Sequence, residues 1–393
     1  MRIRFIGLLG CLMGLLLVMP VLGQDASPTT AEPATAAAAP AAPQGSAPPT
    51  WSVGPINFSG AIDGYYNYNA NHPASRTNGL YNFNTDANQF GLSLLKIALS
   101  HDADPVGFRV DLGYGRTMQL VSQFDNDNPN HFNQYVEQAF VSWKPNGGKG
   151  FQADFGKFVT SAGAEVIESY SNWNYSRSLL FTLAIPYYHF GLRTSMPIGS
   201  HFTAGVQVVN GWNNVVDNNG AKMVVVTTNT TFSKFSWAVD WHGGPENVNT
   251  SQGWHHLFDT TLTVTPTSKV SAYINYDYHQ WRHFNDPVFP NKTLTAWQGI
   301  AAALRLQATS KWALAGRGEW FQDRQGHATG TPQKVKEVTF TGEYKLAEGL
   351  LWRAEYRHDW SNVKFFERGP STGFTDTQDT FTVAFVAYFG PMR

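Results

Sequence analysis

Charge is scarce in this chain. Lys, Arg, Asp and Glu make up 15% of 393 residues while aromatics reach 14%, and the formal net charge is -1. Without a basic excess there is no electrostatic footprint for a polyanion, which excludes a nucleic-acid partner. Cysteine is limited to Cys11, so the rest of the chain has no disulfide framework and no thiolate metal site. Beyond the N-terminus long apolar runs are missing as well, and a mean hydropathy of -0.28 excludes a bundle of membrane helices. Stability without disulfides has to come from elsewhere, and closed strand pairing is one source.

The exception is the first segment. Arg2 and Arg4 precede FIGLLGCLMGLLLVMPVLG, which predicts a secretory signal peptide over residues 1–23, cleaved after Val21-Leu22-Gly23 and before Gln24. An uncleaved anchor helix is the alternative, but the run falls short of the ~20 apolar residues that span a bilayer. Leu8-Leu9-Gly10-Cys11 resembles a lipoprotein box; because the apolar run continues past Cys11, this cysteine reads as signal core. Residues 24–53, including AEPATAAAAPAAP, are Ala/Pro-rich, cannot bury a core and are expected to be a disordered linker. The remaining domain, 54–393, is where structure is expected.

What that domain does have is alternation. In GLLWRAEYRHDW, Gly349 to Trp360, Trp352, Ala354, Tyr356, His358 and Trp360 share one parity and Arg353, Glu355, Arg357 and Asp359 the other. Only a strand separates these sets, placing aromatics on one face and a charge ladder on the other. The pattern recurs: Phe235, Trp237, Val239 and Trp241 oppose Ser236, Ala238, Asp240 and His242, and Val338, Phe340 and Tyr344 oppose Glu337, Thr339, Thr341 and Glu343. A soluble sandwich would turn the aromatic faces inward, but the chain lacks the helices or second sheets to cover them. The expected fold is therefore all-β: a transmembrane antiparallel up-and-down β-barrel of about 16 strands, from 55–69 to 377–389, with a wet, charged interior. Joints after even strands are short (Ala103-Asp104-Pro105, Ile198-Gly199-Ser200, Ser233), and those after odd strands are long and polar, the asymmetry of a barrel with its turns in the periplasm. Two strands are ambiguous: 89–102 switches parity near Leu94-Leu95, which predicts a bulge or a shifted boundary, and Met223 to Thr231 declares no face. Trp237, Trp241, Trp312 and Trp352 near strand ends are expected in the membrane-interface girdles.

Ala103-Asp104-Pro105-Val106-Gly107-Phe108-Arg109-Val110-Asp111-Leu112, Val209-Asn210-Gly211-Trp212, Gly244-Pro245-Glu246, Arg317-Gly318-Glu319-Trp320-Phe321 and Arg353 to Trp360, in this order and spacing, resemble the OmpL-like "porin-2" family of outer-membrane beta-barrel porins. The resemblance spans nearly all of the chain after the linker. It implies a bacterial, Gram-negative outer-membrane location and a diffusion channel. One departure concerns the strand-end aromatic read by the assembly machinery: here Tyr388-Phe389 is followed by Gly390-Pro391-Met392-Arg393, so either the signal is internal or recognition differs.

A barrel of this size leaves a lumen that side chains alone do not fill. The longest connection, Ser161 to Pro186, follows the fifth strand, the position of the constriction loop in the sixteen-stranded general diffusion porins that it resembles. Glu165, Glu168 and Arg177, with Tyr170, Trp173 and Tyr175, are its candidates for setting a transverse field; the bland reading is a solvated surface loop. Candidate pore-lining residues are Arg109, Asp111, Arg193, Asp240, Asp277, Arg305, Arg317, Glu319, Glu343, Arg353, Glu355, Arg357 and Asp359, with Asp259, Glu337 and Lys345 on the same ladder. Their first expected role is structural, as opposite charges pairing across strands. Acids outnumber bases nine to seven among these ladder residues, a weak bias toward cations. His255, His256, His279 and His283 match no ligand spacing and are expected at the rim. No G-x-S-x-G frames a serine, yet a barrel enzyme of lipase or protease type and a surface adhesin stay open as alternatives. The expectation is a channel with no catalytic, cofactor or metal site, whose partners are outer-membrane lipid, small hydrophilic solutes, the barrel assembly machinery and further copies in a homotrimer.

Overall fold

The computed structural model describes residues 51–123, 132–369 and 373–390; the signal-peptide expectation and nearly all of the linker fall outside the described residues. Sixteen long strands follow one another: β1 (Ile56–Asn69), β2 (Gln89–His101), β3 (Val106–Tyr114), β4 (Val136–Trp143), β5 (Gln152–Val159), β6 (Tyr188–Ile198), β7 (Phe202–Val209), β8 (Met223–Phe232), β9 (Phe235–Pro245), β10 (Trp254–Thr267), β11 (Val270–Arg282), β12 (Leu294–Gln307), β13 (Trp312–Asp323), β14 (Gln333–Ala347), β15 (Leu350–Ser361) and β16 (Thr377–Phe389). Each pairs antiparallel with the next, and β16 returns to β1 in a register running from Thr380 opposite Asn69 to Phe389 opposite Gly60. Closure leaves no long edge unpaired, the condition for crossing hydrocarbon with strands. A short strand, Trp51–Val53, lies against the start of β1. Among the described residues no helix is long and apolar enough to cross a membrane.

The faces fall as the alternation requires. On β15 the guanidinium side chains of Arg353 and Arg357 are only 1% exposed, while Phe340 on β14 and Phe385 on β16 are 61% and 53% exposed. The inward ladder is polar and the outward one apolar, so the exposed band is the lipid face. Cross-strand aromatics knit that band: Tyr356 and Phe381 lie 4.9 Å apart, a pair contributing about 0.2–1 kcal/mol. Trp312 packs against Tyr344 (4.6 Å) and Trp352 (6.4 Å) at the turn end, and Trp237 is exposed near the same end of β9. Trp241 and Trp254 flank His256 toward the loop end, so aromatics mark both rims of the band.

Three local departures from simple alternation have physical causes. On β2 the register skips Ser93: Asp63 faces Leu94 and Gly64 faces Leu92, a bulge at the predicted place, which leaves Phe90 and Leu92 outward, buries Leu94 and points Lys96 inward. β3 ends at Tyr114, because Gly115 takes a φ of 119° and a short helix, Arg116–Val121, follows. β8 declares no face because Met223 and Val225 point inward into an apolar cluster with Phe158 and Val209, so both its sides are apolar at that end.

Candidate functional site

The connection between β5 and β6, residues 160–187, lies inside the barrel, and the wall ladder meets its backbone group by group. Glu355 accepts from the Tyr175 and Ser176 amides at 2.6 and 2.9 Å, and Arg353 donates to the Ser169 and Asn172 carbonyls at 2.5 and 2.8 Å. Arg357 donates to the Arg177 carbonyl at 2.8 Å, the Asn174 amide side chain to Thr341 at 2.8 Å, and the Tyr175 hydroxyl to Asp63 at 2.7 Å. A buried loop needs partners in place of water, and these inward charges provide them. Ser178 caps a short helix, Leu179–Leu183, by accepting from the Phe181 amide at 2.9 Å. Glu319 accepts from the Leu179 and Leu180 amides at 3.0 and 3.2 Å, placing a carboxylate at the helix start. The helix's apolar side packs with Phe83, Trp297, Phe321 and Val335, so part of the interior is a hydrophobic core rather than open water.

The charges pair. Arg317 bridges Glu165 (2.7 Å), Glu319 (3.0 Å) and Glu337 (2.9 Å), all buried. Arg357 pairs with Asp359 at 2.6 Å, and Glu343 sits between Arg305 (3.0 Å) and Arg353 (2.5 Å). Arg109 holds Asp111 at 2.9 Å and Arg193 holds Asp154 at 2.7 Å, while Lys345 pairs with Glu348 at the turn end. Lys96 is surrounded by Asp111 (2.8 Å), Glu137 (3.1 Å) and Glu168. Those three carboxylates have the spacing of a metal site, and the ammonium already occupies it. Burial works to raise the Glu168 carboxyl, but Lys96 outweighs it and holds the group below its ordinary range. The Arg177 guanidinium is spent on the carbonyls of Val166, Tyr175 and Ile167 within its own loop, and burial lowers its proton affinity against the pull of Glu165 and Asp63. Glu165, Glu168 and Arg177 are thus brought into the barrel with their charges engaged, not free.

Sequence reasoning missed Lys96, Glu137, Asp154 and Asp63. The bulge at Ser93 hid Lys96 in the run LSLLKIALSH, where a lone lysine among apolar residues was the available signal.

A row of inward acids has no cation beside it among the described residues. Asp240, Asp259 and Asp277 are directly opposed across β9, β10 and β11, and all are buried. Asn275 donates to Asp259 at 2.7 Å, but Asp240 Oδ2 and Asp277 Oδ2 have no hydrogen-bond partner. Asp240 lines a small recess on the β5–β9 side, with Gln152, Asp154, Arg193, Gln207, Thr227 and Asn229 among its other walls. This recess lies on the wall away from the β12–β16 ladder that anchors the loop.

The histidines differ from expectation. His256 alone faces outward; His255, His279 and His283 are buried inside the barrel, stacked among Trp212, Trp281 and Trp297, because their parity is the inward one.

Against known proteins, the chain matches the family described as "Putative beta-barrel porin-2, OmpL-like" over residues 55–389. A comparison with curated proteins found no match. Among solved structures it is similar to the trimer form of OmpT, an outer membrane protein of Vibrio cholerae (14% identity, 85% of this chain and 99% of that one, TM-score 0.55). It is similar also to an anion-selective porin from Comamonas acidovorans (9% identity, 85% and 99% coverage, TM-score 0.57). A third likeness is to OmpF of Salmonella typhi in complex with daunomycin (14% identity, 85% and 97% coverage, TM-score 0.57). At these identities the structures speak for the fold; the family match covers the whole barrel. A closed sixteen-stranded wall, an inward ladder and that match together mean that the chain belongs to the "Putative beta-barrel porin-2, OmpL-like" family, as a bacterial outer-membrane channel for passive diffusion.

Proposed function

We propose that small hydrophilic solutes and ions pass along the β5–β9 wall, over the recess that holds Asp240 and the Arg193–Asp154 pair, and that cations pass in preference to anions. The observation that carries this reading is the row Asp240, Asp259, Asp277, three inward carboxylates without a cationic partner among the described residues. Glu355 and Asp63 also lack one, but loop amides and the Tyr175 hydroxyl saturate them. Most other charges on the wall sit in ion pairs, so Asp240, which opens onto the recess, is the acid best placed to bias ion passage. The channel works with no chemical step. A homotrimer is the assembly proposed, in line with the trimer form of the Vibrio cholerae relative. Residues 1–23 are proposed to be removed on export, leaving 24–53 as a linker; N-terminal sequencing of the mature protein should begin at Gln24.

Zero-current potentials in planar bilayers under a salt gradient test the selectivity. The wild-type protein should favour cations, and Asp240→Lys should move the potential toward the anion side. A potential that does not move with Asp240→Lys removes this route. Charge reversal at Glu165 or Glu168 should act differently: each loses its partner, Arg317 or Lys96, so the loop loosens and single-channel conductance becomes larger and noisier. Conductance unchanged in both variants would mean that the loop does not narrow the passage.

A further inference from the structure

We propose that the inward-facing imidazoles of His189 and His242 form a binding site for a borderline divalent transition-metal ion such as Zn²⁺. His189 stands at the start of β6 and His242 late in β9, and both are 0% exposed. Their ring centroids lie 5.5 Å apart, with the ring planes at 35°.

The hydrogen bonding sets the tautomer of His189. Its Nδ1 lies 2.9 Å from the Gly211 carbonyl, which can only accept, so Nδ1 carries the proton and Nε2 presents a lone pair. That Nε2 has no partner. A ring nitrogen held by a backbone carbonyl, with the other nitrogen free, is how protein histidines are set up to ligate a metal. His242 has neither ring nitrogen hydrogen-bonded. Unmet polar atoms in a buried setting are costly, and the surroundings make this worse. Phe158, Val209, Met223 and Val225 form the apolar cluster beside the two rings. Arg193, the nearby cation, is neutralised by Asp154 at 2.7 Å and does not exclude a second positive charge.

The spacing fits the chemistry. Imidazoles bound at about 2.0–2.1 Å on two vertices of a tetrahedron have ring centroids about 5 Å apart, so a small rotation brings both nitrogens onto one ion. No third protein ligand joins these two within ligand distance among the described residues, so water or a small anion fills the remaining vertices. Two neutral nitrogens and no thiolate suit Zn²⁺, Ni²⁺ or Cu²⁺ and not Mg²⁺ or Ca²⁺, which prefer oxygen. The inference is independent of whether the barrel conducts.

The test is calorimetric titration of ZnCl₂ into the untagged, folded full-length protein in detergent, with Cu²⁺ electron paramagnetic resonance reading the ligand atoms. One equivalent of Zn²⁺ should bind, MgCl₂ should not, and Cu²⁺ should show coupling to two nitrogens. His189→Asn and His242→Asn should each weaken Zn²⁺ binding about tenfold or more, and the outward His256→Asn should leave it unchanged. Because each asparagine keeps a polar side chain, barrel closure can be verified for every variant by heat-modifiable migration. The proposal fails if Zn²⁺ does not bind, or if it binds equally well to correctly folded His189→Asn and His242→Asn proteins; the nitrogens are then met by water.

Discussion

Arg317→Ala should destabilise the folded barrel by about 3–5 kcal/mol, the cost of removing one partner from a buried charge network. Three carboxylates converge on this guanidinium, from Glu165 in the loop, Glu319 on the same strand and Glu337 on the next. The guanidinium also donates to the Ser176 carbonyl at 2.8 Å, so its loss strips the loop of both an ion pair and a backbone anchor. With the cation gone, like charges face each other where little water can reach them. Part of this cost should be recoverable. Because Glu165 is one of the orphaned carboxylates, Arg317→Ala with Glu165→Gln should be less destabilised than the single variant, a coupling that a double-mutant cycle isolates. Denaturant titration in detergent micelles reads the stabilities. A loss within 0.5 kcal/mol in the single variant would mean that the network is wet and screened.

Phe340→Arg should cost about 2–4 kcal/mol, the penalty for an arginine on the lipid face near the bilayer midplane. Phe340 lies in the middle of β14, between Gly316 on β13 and Tyr356 on β15. Its ring covers Gly316, where a Cβ would lie 3.6 Å from the ring, so the substitution loses this cover along with the apolar contact to lipid. A substitution of the same size on the other parity has a different cost. Thr339, one residue earlier, faces inward and hydrogen-bonds Glu337, so the two neighbours report opposite environments. Folding into vesicles with tryptophan fluorescence as the signal measures the loss. If Phe340→Arg were as stable as the parent in lipid, the outward face would not be in hydrocarbon.

Some of this was legible in the residues and some was not. The strand period is two, so every alternating segment announced its own faces, and Arg353, Glu355, Arg357 and Asp359 were assigned inward without knowledge of their partners. The bulge on β2 was legible as a break in parity, but not which residue caused it, and so Lys96 and its three acids stayed hidden. The histidines of β10 and β11 share the inward parity with Asp259 and Asp277, and reading parity ahead of proximity to the loops would have placed them inside.

By itself the amino-acid order determined the architecture: strand count, which face meets lipid, which end carries loops, and the interior position of the charge ladder. These follow from local periodicity and turn chemistry, which act between near neighbours. Tertiary structure alone decided who meets whom across the lumen. The partnership of Glu165 with Arg317, the row formed by Asp240, Asp259 and Asp277, and the approach of His189 to His242 join residues from separate strands and loops. Barrel closure and the inward course of residues 160–187 bring them together, and no spacing along the chain encodes that distance.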